Sequence, residues 1–140
     1  MTPDADDRAP YPTEDLAAST SRSTPPPANA HARTRRCGAF TVVEVMGEID
    51  LATEALLTEH LNAATARAEP DVLVDLRRAD FFDCSGLRVL CRAETRARDH
   101  GGRLRLVADA PRIRRLLRGA DLLGRFPLLP GIPRDVPDRP

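Results

Sequence analysis

The run Asp71-Val72-Leu73-Val74-Asp75-Leu76, then the polar Arg77-Arg78-Ala79-Asp80, then Phe81-Phe82-Asp83-Cys84-Ser85-Gly86, decides how this chain folds. Its first six residues are short and almost continuously apolar, the pattern of a strand covered on both faces. The next four residues, three of them charged, read as a loop. From about Ser85 to Asp99 the apolar Leu87, Leu90 and Cys91 share one stripe, which is helical spacing, and Gly101-Gly102 ends that helix. Strand, loop and helix in this order form half of an α/β crossover.

Working outward, the alternation repeats. Upstream, Phe40-Thr41-Val42-Val43-Glu44-Val45-Met46 is rich in β-branched residues and bounded by Gly47, so it predicts a strand. Asp50 or Thr53 can cap a helix that places Leu57, Leu61 and Ala64 on one face, and Pro70 follows as punctuation. Downstream, Leu104-Arg105-Leu106-Val107 predicts a further strand. Pro111 opens a third helix, Arg112 to about Gly119, with Ile113, Leu116 and Leu117 opposite Arg112, Arg114, Arg115 and Arg118. The expected class is α/β, with right-handed crossovers making the middle strands parallel. In such sheets function gathers in the loops beyond the carboxyl ends of the strands, and the Asp83–Gly86 turn lies there.

Outside this core the composition changes. Residues 1–36 hold six of the 13 Pro and eight Ser/Thr, and only Tyr11 and Leu16 are sizeable apolar groups. That is too little burial to offset chain entropy, so the stretch reads as a disordered tail with a locally basic end, His31 to Arg36. Pro127, Pro130, Pro133, Pro137 and Pro140 are too closely spaced for a helix or a central strand. The expected organisation is a tail at 1–36, one domain at 37–129 and a Pro-rich tail at 130–140, with a single modest core.

The charges argue against several classes. The chain has 140 residues, 21 basic and 21 acidic, with a formal net charge of zero, and every basic residue is Arg. No electrostatic footprint of direct DNA binding or of an anionic membrane surface is present. Nothing approaches the ~18 uninterrupted apolar residues of a membrane span. The acidic start, Met1 to Asp7, lacks the apolar core of a secretory signal. Cys37, Cys84 and Cys91 are odd in number and without CxxC spacing. No disulfide framework or zinc site is expected, and the expected location is a reducing cytoplasm. Gly101-Gly102 follows a helix instead of opening one, so no phosphate-cradling loop and no cofactor are expected. Glu94 and Arg98 read as an i,i+4 surface pair.

The Asp83–Gly86 turn supports three readings. Asp83 can accept hydrogen bonds from the first free N–H groups of the helix. Ser85 falls at its first position with the hydroxyl expected outward, and Gly86 lets another backbone approach. Phe81 and Phe82 are expected to anchor the turn from the strand side. The first reading is a cap with core anchors. The second is a nucleophilic Ser85 or Cys84, a small hydrolase. It would need a base, and the globule offers only His60, expected on a helix surface, and His100 at a helix end. Nor does a G-x-S-x-G motif surround Ser85. The third is a phosphoacceptor on a binding surface, where phosphate would add about −1.5 to −2 charge.

Gly47-Glu48-Ile49-Asp50, Asp75-Leu76 and Phe82-Asp83-Cys84-Ser85-Gly86-Leu87 together resemble the STAS domain (sulfate transporter and anti-sigma factor antagonist), and Arg115 to Asp121 is similar to the end of its third helix. The most specific part is Asp-x-Ser-Gly-Leu between a buried strand and a helix, with Gly-Glu-x-Asp about 35 residues upstream. The resemblance implies a single domain with a small mixed sheet and helices mainly on one face. It implies a bacterial anti-anti-sigma factor, without catalysis or cofactor of its own, acting as a monomer or weak homodimer. Unphosphorylated, such a domain binds an anti-sigma factor that is also a serine kinase; the kinase phosphorylates the Ser before the Gly, and a phosphatase resets it. By position the acceptor is Ser85, and Asp50, Asp83, Cys84, Ser85, Gly86 and Leu87 form the contact surface. A rival within the family is a non-switching adaptor of a lipid-transport or stress-signalling assembly, in which Ser85 only caps. The sequence departs at Cys84, where Ser is frequent, so that Cys84 reads as a small half-buried residue or a redox sensor. It departs again at Gly119-Ala120-Asp121. The family's final amphipathic helix is also missing, which implies lower stability or pairing with another chain.

Overall fold

The computed structural model describes residues 25–133. Five strands and three helices follow in the order β1 (Ala32–Cys37), β2 (Phe40–Ile49), α1 (Glu54–Ala64), β3 (Asp71–Phe82), α2 (Cys84–Asp99), β4 (Arg103–Val107), α3 (Pro111–Gly119) and β5 (Leu128–Leu129). They form one sheet of order β1-β2-β3-β4-β5. Only the β1–β2 hairpin is antiparallel; β3, β4 and β5 run parallel to β2. The expected mixed α/β domain is thus present.

Alternation along the strands builds two unequal cores. Val43, Val45, Val72, Val74, Leu104 and Leu106 face the helices and pack with the buried faces of α1, α2 and α3, and Phe126 closes this cluster fully buried. On the other face Phe40, Val42, Leu73 and Val107 form a small cluster with Cys37, Leu129 and Ile132 against it. Around that cluster Arg33 and Arg35 pair with Glu44, Arg77 with Asp75, and Arg103 and Arg105 with Asp71.

Three boundaries differ from the sequence expectation. Ala32–Cys37, assigned to the tail at 1–36, is an edge strand. Its basic character suggests a solvated boundary, but Arg33 and Arg35 point off the sheet onto Glu44 while the backbone pairs with β2. Arginines are also a usual way to blunt an edge. The preceding residues are held too: Asn29 Oδ1 accepts from the His31 and Ala32 N–H groups, and its Nδ2 donates to Leu56 O. Residues 1–24 and 134–140 lie outside the described residues.

The second difference is β3, which does not stop at Leu76 but continues through Arg77–Asp80 to Phe82. Its register with β2 slips from Glu44↔Asp75 to Met46↔Arg78, and again from Gly47↔Ala79 to Glu48↔Phe81. Each slip places one extra residue in β3. Buried positions therefore fall at Leu76, Ala79 and Phe82, with Arg77, Arg78, Asp80 and Phe81 exposed between them. A spacing of three hides the strand from any test for alternation. The third difference is in the expected tail at 130–140, where Ile132 packs on the small cluster; Leu128–Leu129 just before it forms edge strand β5, which the Pro spacing allows.

Candidate functional site

At the carboxyl end of β3 the chain turns into α2 through Asp83, the N-cap residue. Its Oδ1 accepts from the Ser85 N–H at 2.8 Å, satisfying one of the free donors of the first turn. The Asp83 N–H points to Ile49 O at 3.4 Å, which stitches this turn to the end of β2. Leu87 and Leu90 enter the main core and fix the helix from below. Gly86 lies against the Phe82 ring so closely that a Cβ there would come within 2.5 Å of it. Gly86 therefore admits a ring of its own domain, where the sequence suggested only the approach of some other backbone.

The second loop of the site, between β2 and α1, is tied to itself. Asp50 Oδ1 accepts from the Ala52 N–H at 3.0 Å and the Thr53 N–H at 3.2 Å. Thr53 Oγ1 accepts from the Asp50 N–H at 3.0 Å and donates to Glu48 O at 2.8 Å. Asp50 thus shapes the loop, while Thr53 is the N-cap residue of α1 without a side-chain cap bond. Gly47 has φ +72°, a left-handed conformation that favours glycine, and its open side receives the His31 ring. His31 Nδ1 lies 3.1 Å from Met46 O, so the segment leading into β1 braces this loop.

The structure brings Asp50, Asp83, Cys84, Ser85, Gly86 and Leu87 to one edge of the sheet, with different exposures from those expected. Ser85 is only 7% exposed, although its hydroxyl was expected outward. Cys84 is exposed, not half-buried. Leu87 is core. Of the two expected anchors only Phe82 is buried; Phe81 is 49% exposed, and in the neighbouring loop Leu51 is 72% exposed. Among the described residues these are the two exposed large hydrophobic side chains. Adjacent strand residues face opposite sides, and that signal alone separates Phe81 from Phe82. Leu51 carried a weaker one, an apolar residue directly after a Gly-Glu-x-Asp turn.

The expected bases lie elsewhere. His60 is fully buried, not on the helix surface. Its Nδ1 sits 2.7 Å from Thr34 Oγ1 and its Nε2 3.1 Å from Pro27 O, so both ring nitrogens are engaged. His100 caps the carboxyl terminus of α2, the end opposite Ser85. Among the described residues no group of three or more His, Cys, Asp or Glu is arranged to hold a metal ion. No helix there is long and apolar enough to cross a membrane.

Glu94 is not a surface residue. It is 7% exposed and accepts from Arg98 Nε at 2.8 Å and Arg125 Nε at 2.7 Å, while Arg125 Nη2 also donates to Cys91 O. Burial pushes its carboxyl up, but the hydrogen bonds from Arg98 and Arg125 outweigh it and leave the pKa below the ordinary glutamate value. Asp75 behaves alike on the helix-free face. Burial raises it, and the Arg77 side chain and backbone, both donating to it, bring it below the ordinary value.

Comparison with known proteins gives a consistent family. A family model described as "Mlab, STAS domain" matches residues 32–130. Among solved structures, an anti-sigma factor antagonist from Mycobacterium paratuberculosis is 29% identical with a TM-score of 0.66, covering 72% of this chain and 86% of that one. An anti-sigma-factor antagonist (STAS) domain protein from Planctomyces limnophilus is 21% identical with a TM-score of 0.65, covering 74% and 92%. The anti-sigma factor antagonist SpoIIAA in its unphosphorylated form is 17% identical with a TM-score of 0.59, covering 77% and 96%. The phosphorylated form of SpoIIAA, from Bacillus, has the same identity and TM-score. No curated protein matches the chain significantly.

Proposed function

Because this chain belongs to the STAS domain family, we propose that it is an anti-sigma factor antagonist whose binding to an anti-sigma factor with serine kinase activity is switched off by phosphorylation of Ser85. The partner supplies the ATP, a phosphatase resets Ser85, and the chain itself catalyses nothing and does not touch DNA. It acts in the cytoplasm, and its output is sigma-factor-dependent transcription. The observation that carries this reading is the placement of Ser85. It sits on the first turn of α2, its N–H held by Asp83, at the carboxyl edge of the sheet and beside the Glu48–Thr53 loop.

A phosphate at this position suits the domain and not the complex. The helix amino terminus favours an anion within the first turn. A partner seated over the edge would have to desolvate about −1.5 to −2 charge beside the Asp83 carboxylate. A hundredfold loss of affinity needs only about 2.8 kcal/mol, less than an unpaired desolvated charge costs. The relative SpoIIAA, known in both phosphorylation states, fits this logic.

The burial of Ser85 favours one second reading, a non-switching adaptor in which the serine only packs into the first turn of α2 beneath the Asp83 cap. Affinity capture from the source organism decides between them, with wild type, Ser85→Ala and Ser85→Asp as baits and mass spectrometry of captured proteins and bait phosphopeptides. The switch requires an ATP-binding serine kinase captured by Ser85→Ala, lost with Ser85→Asp, and phosphate on wild-type Ser85. Equal capture of one partner by all three baits, with Ser85 unmodified, leaves the adaptor.

A further inference from the structure

We infer that Leu51 and Phe81 are the two anchors by which a partner protein grips this domain, through an apolar recess fringed by cationic side chains. This rests on the reading of the Ser85 edge as a partner surface and adds what holds the partner there. The observation is one of exclusion. A domain this size hides its large apolar side chains well, and among the described residues two escape: Leu51 at 72% and Phe81 at 49% exposure. Both belong to the loops that flank Ser85. Glu48, three residues before Leu51, is the register partner of Phe81. Ile49 O receives the Asp83 N–H. The second register slip in β3 falls between Ala79 and Phe81 and leaves Phe81 outside while Phe82 turns inward onto Gly86. Bulges that re-aim a side chain are frequent next to functional sites. Neither exposed side chain contributes to the core, and paired apolar anchors at the centre of a contact are the usual carriers of binding energy.

The charge around them selects the partner's fringe. Residues 48–54 and 79–87 contain Glu48, Asp50, Glu54, Asp80 and Asp83. Exposed Arg78 and Arg88 flank the second segment, and Arg112 Nη2 donates to Ala79 O. Five carboxylates thus stand against three guanidiniums, and the edge keeps a negative excess. A partner with an acidic rim is repelled there, and one with arginines or lysines is steered in. Glu48 and Asp80 are the exposed members and meet the fringe. Ser85, nearly buried, sits four residues after Phe81 on the first turn of α2, so a partner gripping Phe81 and Leu51 covers it. A phosphate there is desolvated and not paired, which reconciles a cationic partner with a negative switch.

The test is in-cell photo-crosslinking in the full chain, with p-benzoylphenylalanine placed at 51, at 81 and, as control, at exposed Ala68. The crosslinked protein is then purified and titrated against wild type, Leu51→Ser, Phe81→Ser and Ser85→Asp. The expected result is one protein crosslinked from 51 and 81 but not from 68. Its Kd is about thirtyfold weaker for each of Leu51→Ser and Phe81→Ser, with thermal unfolding unchanged. That result supports the anchors even if Ser85→Asp binds normally, in which case the phosphoswitch alone fails. Crosslinking from 51 and 81 no stronger than from 68, or affinity unchanged by both serine substitutions, overturns the anchors even if Ser85→Asp still releases the partner.

Discussion

At the amino end of the parallel strands, backbone meets backbone. Arg103 N donates to Pro70 O at 2.7 Å and Glu69 N to His100 O at 2.8 Å, and Gly102 lies so near Pro70 that a Cβ would collide with its carbonyl oxygen. Less than two turns of α2 before His100, Arg98 and Arg125 close on Glu94. At the carboxyl end the corresponding stitch, Asp83 N to Ile49 O, is 3.4 Å long, the tight contact is with a side-chain ring, and two apolar side chains stand in water. The same sheet therefore has an end that holds the fold and an end that leaves adjustable groups on offer. Loops that bind are drawn from the less stable part of a structure carried on a rigid one.

Glycine substitutions test this difference most severely. Gly102→Ala forces Cβ into the Pro70 backbone, which cannot move without separating β3 from β4, and should cost about 3 kcal/mol or more in denaturant titration. Gly86→Ala meets only the rim of the Phe82 ring, which can rotate or shift, and should cost about 1–2 kcal/mol. Pairing it with Phe82→Leu should recover part of that loss, a coupling measurable in a double-mutant cycle. Equal costs at the two glycines would erase the distinction between the ends.

How far each end is legible in the sequence follows from the same contrast. Helices α1, α2 and α3 and strands β2 and β4 obey regular periods, and their reading agrees with the structure. Residues 77–82 do not, although residues 71–76 before them read correctly as a strand. Leu76, Ala79 and Phe82 share a face at a spacing of three because bulges intervene, and no local pattern distinguishes that from a loop. Strand β1 is invisible for another reason. Four of the six residues in Ala-Arg-Thr-Arg-Arg-Cys are polar or basic, and its place depends on pairing across the short Gly38-Ala39 turn with the β2 backbone and Glu44, which its own composition does not announce. The position of Ser85 was legible from its motif. Its burial was not, since that depends on how the neighbouring loop closes.

The Glu94 clasp gives the next smaller effect and has a pH signature. Its folded pKa is depressed, so its contribution is complete above the ordinary value of 4.5 and is lost as the pH falls through the lower folded value. Glu94→Gln keeps the shape and removes the charge, and should cost about 1–2 kcal/mol at pH 7. The curves of variant and wild type should converge in acid. The acid loss left in the variant then belongs to Asp75 and Glu44, whose carboxyls are also held low. For Glu44, burial raises the value and Arg33 and Arg35 bring it down. A constant gap between the two proteins down to pH 3 would show that the clasp works by packing and not by charge.

The smallest expected effect on folding is Ser85→Asp, and its smallness is the point. A new carboxylate on the first turn of α2 gains about 0.3–1 kcal/mol from the helix dipole, which offsets the repulsion from Asp83 and the desolvation so far as the side chain turns out toward the yielding loops. The unfolding free energy should therefore stay within about 1 kcal/mol of wild type, even though the same substitution is expected to abolish capture of the partner. Ser85 sits in a tight place, yet at the end of the sheet where neighbours are side chains and loops able to yield. If Ser85→Asp instead destabilises the domain as strongly as Gly102→Ala, the serine is a structural residue of the first turn, and its loss of partner binding reports unfolding. A switch residue has to change charge at little cost to its own domain and at great cost to the complex, and the ratio of those two effects is the quantity to measure.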